Sequence, residues 1–437
     1  MSRNVQYFPD GKGRFIGRYT ETAKTGDTIL SFPNRAGIPT SGGRVGDTII
    51  YHHNGRGGYL GARSISRCTK FGPAWGVNGS GQLGDGTTKT RWTPTLPGPH
   101  TWKMVSAGAN HSLGIRSDGK LFSWGNDSYG KASAGLVSDY DGRCINQIGN
   151  DTWDWVAAGG SHSLAINSEG YLFAWGANNR GQLGIGPLYN SHSAFEPMTQ
   201  VGSDTWSMVS AGVSYSAGIR TDERLCTWGI SYHGVLGCEA YDPTWTAHWA
   251  LPFEIEWFTH APGHDYRCKF VACDTSAFRI LVIRRDGMLF SAGEHYYGEM
   301  DYGFGFAFYP VERATMTKTW SYVDQGNFHI IAIDTDGHLY ARGLNSSGQL
   351  GDGTTTNRGS FVQIGSDEWS SVSAGGATSL GIRSDGELFS WGRYDNGFLG
   401  DGSTEDHLVP TRVGPDNWKR VSAGNGFALG ILEEAEE

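Results

Sequence analysis

Apolar residues in this chain alternate with small or polar ones over short stretches, a period of two that is typical of half-buried β-strands. Residues 112–116 read Ser-Leu-Gly-Ile-Arg, the pair Asp118-Gly119 follows, and residues 121–124 read Leu-Phe-Ser-Trp. An Asp-Gly pair between two such stretches predicts a β-hairpin with a type I′ turn, which requires positive φ at both central residues. The pattern, which shows no sustained helical period, therefore predicts an all-β fold.

Nearly the same unit recurs about every fifty residues. Its first half ends at a valine followed by small residues and occurs seven times, at Val105, Val156, Val209, Val271, Val323, Val372 and Val421. Its second half is built on Trp-Gly or a degenerate form and also occurs seven times, at Trp75, Trp124, Trp175, Trp228, Ala292, Arg342 and Trp391. Because such a unit buries its apolar face only against its neighbours, the chain is predicted to be a repeat protein.

The repeats are out of phase with the ends of the chain. They begin with a second half at Trp75 and end with a first half that starts at Trp418. Each terminal half lacks its hairpin partner, and both are completed if they pair with one another. We therefore predict a seven-bladed β-propeller over residues 72–437, closed by its N- and C-terminal half-blades. Residues 1–71 are predicted to form a separate arm that contains β-strands.

Three strings carry a resemblance to a known family. They are Val-Ser-Ala-Gly-x-x-His-Ser-Leu-x-Ile, Ser-Asp-Gly-x-Leu-Phe-x-Trp-Gly and Gly-Gln-Leu-Gly-Asp-Gly-Thr-Thr. With these strings the chain resembles the regulator of chromosome condensation repeat family over about residues 72–432, and the resemblance implies a propeller. The turn form Gly-Asp-Gly-Thr-Thr-x-x-x-Arg is interpreted as a bacterial or phage-like variant. The family includes nucleotide-exchange factors, a photoreceptor, an enzyme inhibitor and scaffolds, so the resemblance implies fold more than function.

Charge separates the predicted arm from the predicted ring. Residues 1–71 contain 11 basic and 4 acidic residues, a net charge of +7, whereas the whole chain carries −9 and the remainder therefore −16. The arm is predicted to dock on a partner, and the residues expected to anchor it are Arg3, Arg14, Phe15, Arg18 and Tyr19. The alternative is that its later strands only extend the closing blade. An acidic ring disfavours nucleic acid as a partner.

The fourth blade, counted from Trp75, is predicted to carry an insertion at residues 239–268. This region and the segment after the next hairpin are rich in aromatic residues, which are enriched at protein interfaces and also suit sugar stacking. The predicted partner-binding residues are Trp245, Trp249, Phe253, Trp257, Phe258, Tyr302, Phe304, Phe306 and Phe308. The alternative is that these rings fold back and cover their own blade.

The sequence predicts no catalytic, cofactor or metal site. Residues 79–84 match a dinucleotide-binding string, but the βαβ context is missing and the Gly-Gln-Leu-Gly core recurs elsewhere. One repeat position is interpreted as structural because a catalytic histidine would be unique; its occupants are assigned as His111, His162, Tyr215, Ala277, His329, Thr378 and Phe427. The six cysteines are predicted to be mostly reduced packing residues.

These observations favour a non-enzymatic platform for protein–protein interaction or display. We expect a structural or adhesion subunit of a larger assembly, such as the tail or capsid surface of a phage, with protein partners and a host-surface glycan as a further candidate. The alternatives are a nucleotide-exchange or chromatin-binding regulator, an enzyme inhibitor that acts through the propeller face, and a carbohydrate-binding adhesin. Photoreception is disfavoured because Gly-Trp-Arg-His-Thr motifs are missing. No signal peptide or membrane span is recognised, so cytoplasmic synthesis followed by incorporation into an assembly is expected.

Overall fold

The computed structural model divides the chain into two compact units, Met1–Thr69 and Lys70–Glu437. In the first unit it describes an antiparallel sheet in the order β1-β2-β3-β4, formed by Val5–Pro9, Phe15–Tyr19, Thr48–His53 and Tyr59–Ile65. The predicted β-structure of the arm is therefore confirmed. Beyond these strands, the described residues are 69–96, 98–134, 142–186, 195–237, 248–255, 267–275, 278–293, 305–310 and 318–433.

The second unit consists of seven antiparallel blades, numbered here from the closing blade. Blade 1 joins β5 (Ala74–Gly76) to the C-terminal strands, and blade 2 contains β6 (Trp102–Ala107), β7 (His111–Arg116), β8 (Leu121–Gly125) and β9 (Asn146–Ile148). Blades 3 and 4 share the long strand β13 and are formed by β10 (Trp153–Ala158), β11 (His162–Asn167), β12 (Tyr171–Ala177), β13 (Phe195–Ala211), β14 (Tyr215–Arg220), β15 (Leu225–Ile230) and β16 (His248–Glu254).

The remaining blades repeat the same arrangement. Blade 5 contains β17 (Cys268–Cys273), β18 (Arg279–Arg284), β19 (Leu289–Gly293) and β20 (Gly305–Pro310). Blades 6 and 7 and the end of blade 1 contain β21 (Trp320–Gln325), β22 (His329–Asp334), β23 (His338–Gly343), β24 (Arg358–Gly375), β25 (Thr378–Arg383), β26 (Glu387–Gly392), β27 (His407–Ala423) and β28 (Phe427–Leu432). The described residues also include three single-turn 3₁₀ helices, at Ser128–Gly130, Tyr232–Gly234 and Asp395–Gly397.

The two ends of the repeat array close the ring, as predicted. β28 pairs with β5, so that Phe427 lies opposite Gly76 and Ala428 lies opposite Trp75. The closing blade, blade 1, is also joined to blade 2, because the Ala107 N–H donates to the Ser422 Oγ at 3.0 Å. Each orphan half thus supplies the strand edge that the other lacks, and the blades form a propeller rather than one continuous barrel.

The apolar core lies between adjacent blades. Trp75 is fully buried between blades 7 and 1, with its ring 5.6 Å from that of Trp418. Glycine at position 381 is required by this packing, because an added Cβ would lie 2.6 Å from Trp369 and 3.2 Å from Trp391. Burying one indole contributes roughly 4–6 kcal/mol as an upper value, from about 150–250 Å² at about 25 cal/mol per Å².

The predicted hairpins form, but their turn type differs from the prediction. Gly119 has φ 81°, whereas Asp118 is not among the residues with positive φ. The Gly119 N–H donates to the Arg116 carbonyl at 2.8 Å. This geometry is a type I turn followed by a left-handed glycine, the three-residue hairpin loop, so only the glycine needs positive φ.

Two further findings complete the description of the fold. Cys144 is disulfide-bonded, which corrects the expectation of reduced packing for this residue, whereas Cys226, Cys268 and Cys273 are reduced thiols. Among the described residues, no helix has the length and apolar character needed to cross a membrane.

Candidate interaction surface

The outer strand of blade 4, β16, presents two large apolar side chains to solvent. Leu251 is 59% exposed and Phe253 is 39% exposed. Residues two apart point to the same face of a strand, so these side chains lie side by side. Pro252 lies between them on the opposite face, against Gly184, where an added Cβ would be 3.2 Å from the proline Cδ. We call Leu251 and Phe253 the edge stripe.

The equivalent strand of blade 7 shows what is particular to the edge stripe. Val409 precedes Pro410 as Leu251 precedes Pro252, and it is 52% exposed. One exposed apolar residue is therefore shared by the two outer strands. The position two residues further along the strand, on the same face, is occupied by Phe253 in blade 4 and by Thr411 in blade 7. Phe253 pairs with Thr227 of β15, and Thr411 pairs with Ser390 of β26. The adjacent apolar pair is thus found in blade 4 and not in blade 7.

A cluster of charges borders the edge stripe. Glu254 follows Phe253 directly, and its carboxylate accepts hydrogen bonds from the Arg220 Nη2 at 2.7 Å and from Arg224. Arg220 also pairs with Asp222 at 3.1 Å. An apolar centre with a charged rim is the composition of protein-binding surfaces.

The structure describes part of the predicted partner-binding set. Phe253 is exposed as stated, and the backbone of Trp249 lies in the same strand, β16. Phe306 and Phe308 lie in β20. The other predicted residues fall outside the described part of the chain: Trp245, Trp257, Phe258, Tyr302 and Phe304.

The region predicted as an insertion is in part a regular element. Residues 248–254 form β16, the outer strand of blade 4, rather than an added loop. The outer strand belongs to neither of the two repeat halves by which the blades were counted, which is why the sequence analysis assigned it to an insertion. Of the predicted anchoring residues, Phe15, Arg18 and Tyr19 belong to β2, whereas Arg3 and Arg14 lie outside the described residues.

The inner strands of the blades line a central cavity of about 140 Å³. Small residues dominate its lining, and serine hydroxyls link neighbouring blades: the Ser106 Oγ accepts the Ala158 N–H at 3.0 Å, and the Ser373 Oγ accepts the Ala423 N–H at 3.0 Å. Small side chains let the strands converge on the axis of the ring. The hydroxyls meanwhile satisfy backbone groups that the convergence would otherwise leave without partners.

Two carboxylates of the cavity lining, Asp274 and Asp324, depart from this pattern, and the sequence analysis identified neither. Asp324 occupies the position that Ser373 holds in the next blade, and its Oδ2 accepts the Ser373 Oγ and the Ala374 N–H at 3.0 Å each. Burial, with a contribution from the negative charge of Asp274, raises the pKa of Asp324 to about 6. The signal that could have identified it was a charged residue at a repeat position otherwise filled by serine or alanine.

The repeated histidines are buried and structural. Their Nε2 atoms lie 2.8–2.9 Å from serine hydroxyls of the next blade, in the pairs His111–Ser163, His162–Ser216 and His329–Ser379. Burial lowers the pKa of His162 to about 3, because a desolvated imidazolium is unfavourable. These side chains are therefore neutral hydrogen-bonding groups between blades, as the sequence interpretation held.

One assignment at this position was wrong. Arg279 and not Ala277 occupies the histidine position of blade 5, because Arg279 pairs with Gly293 as His111 pairs with Gly125. The preceding loop of blade 5 is longer, and this shifted the alignment. Arg279 is buried, and its Nε donates to the Gln325 Oε1 at 2.6 Å.

Asp334, Asp336 and His338 form the one group within the described residues whose ligand atoms lie close enough to hold a metal ion, within 4.8 Å of one another. The Asp334 Oδ1 already accepts the backbone N–H groups of Asp336 and His338 at 3.0 and 2.9 Å. The Lys318 Nζ lies 3.5 Å from the Asp334 Oδ2 and neutralises it. The group therefore acts as a turn-stabilising cluster.

Fold and repeat geometry together define a seven-bladed β-propeller. Two family models, both described as the Regulator of chromosome condensation (RCC1) repeat, match this chain. One covers residues 103–131, 156–182, 320–349 and 369–398, and the other covers 74–115 and 385–431. The chain therefore carries RCC1 repeats.

Curated relatives share these repeats. The chain is 30% identical to the Arabidopsis thaliana Ultraviolet-B receptor UVR8 over 304 residues, which are 67% of this chain and 65% of the receptor. It is 28% identical to the human E3 ubiquitin-protein ligase HERC2 over 298 residues, 64% of this chain and 6% of the ligase. The chain thus spans less than two thirds of the length of either relative.

Solved structures show the same fold at lower identity. Human WBSCR16 superposes with a TM-score of 0.71 at 18% identity, covering 83% of this chain and 98% of the other. The yeast protein Prp20p superposes with a TM-score of 0.70 at 18% identity, covering 85% and 93%. Prp20 in its complex with Kap60 gives a TM-score of 0.69, also at 18% identity, covering 84% and 91%.

Proposed function

We propose that this chain is a non-enzymatic protein-binding platform that presents the edge stripe to a partner protein. The observation that carries the proposal is the pair of exposed apolar side chains, Leu251 and Phe253, on one face of an outer strand. The blades bury their apolar residues between sheets, so two large apolar groups on the outer edge contribute little to the core. An aromatic side chain beside a charged rim is the usual form of an interaction hot spot.

Known propellers of this fold support binding as the general mode of action. One solved structure contains yeast RCC1 (Prp20) bound to Kap60, and another is of Prp20p, whose binding to Gsp1p and histones has been characterised. We extend the mode of action, and not those partners, to this chain. A regulator that binds chromatin is not favoured, because residues 72–437 carry a net charge of −16 and would repel nucleic acid.

We further propose that the platform is a structural or adhesion subunit of a larger assembly, such as a phage virion, into which it is incorporated after cytoplasmic synthesis. Supporting this is the charge separation, +7 in residues 1–71 against −16 in the remainder. A basic segment suits attachment to an acidic neighbour, since complementary charge guides association. The bacterial or phage-like origin stays a prediction from the turn sequences.

Substitution of the edge stripe tests the platform. Leu251→Asp with Phe253→Asp should release the chain from its native assembly, because charge on hot-spot residues removes about 2 kcal/mol or more of binding each. The measurement is light scattering after size-exclusion chromatography of the natively purified assembly. Val409→Asp is the matched control, since Val409 holds the same strand position in blade 7. Equal loss with the control, or an intact assembly with the folded double variant, would refute the proposal.

A further inference from the structure

The junction between blades 1 and 2 contains a large groove. Its volume is about 1330 Å³, and it is lined by Pro73, Trp102, Lys103, Lys419 and Leu432, among others. The groove lies where the closing blade meets the first uninterrupted one. We call it the seam groove.

A missing hairpin explains the groove. In every other blade the second and third strands are joined by a tight turn, and a carbonyl of this turn accepts the first N–H of the next blade. The six bonds measure 2.8–2.9 Å and run from Trp153 to Gly119, Trp206 to Gly170, Cys268 to Glu223, Trp320 to Gly287, Trp369 to Gly337 and Trp418 to Gly386.

Blade 1 has no such turn, because its second and third strands come from opposite ends of the repeat array. β28 ends at Leu432 and β5 begins at Ala74. Within the part of the chain that the structure describes, no carbonyl takes the corresponding place opposite the Trp102 N–H. A backbone donor is a strong hydrogen-bonding group, and Trp102 is one of the residues that line the groove.

The rim of the seam groove is basic, although the ring as a whole is acidic. Lys103, Lys419 and Arg420 line it, with Glu433 as the one carboxylate among the described lining residues. Neither Lys419 nor Arg420 forms an ion pair among the described residues, and Lys103 pairs only with the half-exposed Asp154, at 2.6 Å. Local positive charge in an acidic ring selects an acidic ligand.

We propose that the seam groove binds an acidic β-turn of a partner protein, which takes the place of the missing hairpin. A turn carbonyl accepts the Trp102 N–H, and the carboxylate of the turn pairs with Lys103 and Lys419. The turns that fill this place in other blades are themselves of this kind, for example Glu169-Gly170 and Asp385-Gly386. Binding by completion of an interrupted β-structure is an established mode of peptide recognition. This proposal does not depend on the edge stripe.

A cyclised peptide with the sequence of residues 165–172, Ala-Ile-Asn-Ser-Glu-Gly-Tyr-Leu, is the probe. Labelled with fluorescein, it should bind the full chain in an anisotropy titration, and the affinity should fall with added salt. The same peptide with lysine in place of glutamate should bind at least ten-fold more weakly. Absence of binding by the acidic peptide, or equal binding of both peptides, would overturn the proposal.

Two double variants locate the binding. Lys103→Glu with Lys419→Glu should weaken the acidic peptide at least ten-fold. Lys89→Glu with Lys269→Glu, an equal change in charge, should leave the affinity within two-fold. Lys269 is a stringent control because it follows the first residue of β17 as Lys103 follows the first residue of β6. Equal weakening by both variants would show that only the overall charge matters and would refute the site.

Hydrogen exchange provides a readout that charge alone does not produce. Peptide binding should slow exchange of the Trp102 amide and leave the Trp153 amide, which already donates to Gly119, unchanged. Binding without protection of Trp102 would place the peptide elsewhere and would overturn the proposed hydrogen bond.

Discussion

Replacing Asp324 with serine should stabilise the protein at neutral pH. The Asp324 carboxylate lies in the central cavity, where burial and then the charge of Asp274 raise its pKa from 3.8 to about 6. A raised carboxyl pKa means that folding disfavours the ionised form. The cost is therefore complete above pH 6 and disappears as the pH falls from about 6 to 3.8.

The magnitude follows from the shift of about two pKa units. At about 1.36 kcal/mol per unit this is about 3 kcal/mol, and residual solvent contact of the half-buried residue reduces the expected gain to about 1–2 kcal/mol. Serine fits the position, because Ser373 there accepts the Ala423 N–H at 3.0 Å. In Asp324→Ser the new hydroxyl is expected to accept the Ala374 N–H in the same way.

Urea denaturation at pH 7 and at pH 4.5 measures the effect. The variant should be more stable at pH 7, and the difference should shrink at pH 4.5, where the wild-type carboxyl is largely protonated in the fold. Asp118→Ser is the control of opposite sign, because its hydrogen bond with Arg116 lowers the pKa of Asp118 to about 2. A less stable Asp324→Ser variant at pH 7, or a difference that does not change with pH, would refute the reasoning.

Two more predictions concern the repeated positions. Gly381→Ala should lower the free energy of unfolding by about 2–3 kcal/mol, because the added Cβ would lie 2.6 Å from Trp369; Gly359→Ala, where nothing lies within 4 Å, should change it by less than about 0.5 kcal/mol in the same denaturation assay. His162→Phe should cost about 1–2 kcal/mol at pH 7.5 through the lost bond to Ser216. Since burial lowers the pKa of His162, the wild type loses stability as the pH falls below 6.5, so the gap should narrow at pH 5; a constant gap would contradict this assignment.

The sequence predicted what is periodic and missed what depends on neighbours in space. Ring closure was predictable from Trp75 and Trp418, because two unpaired halves of one repeat have no other partner. The length of the loop before Arg279 was not, since an alignment by position cannot detect two added residues. The seam groove was also not predicted. The hydrogen bond that Trp102 lacks is one that joins residues of different blades elsewhere in the ring, so its absence leaves no local signal in the sequence.

Irregular repeats in blades 4 and 5 remain consistent with one another across the blade interfaces. Each of the three histidines bonds a serine of the next blade. Tyr215 faces a blade with Ile280 at that position, and its hydroxyl donates instead to the Arg279 carbonyl at 2.7 Å. Arg279 in turn reaches the side chain of Gln325, which replaces a small residue of the cavity lining. The polar side chains of Tyr215, Arg279 and Gln325 therefore each have a hydrogen-bond partner. Asp324 differs, because its carboxylate acts only as a hydrogen-bond acceptor. A serine hydroxyl at this position would also accept the Ala374 N–H, and it would carry no charge.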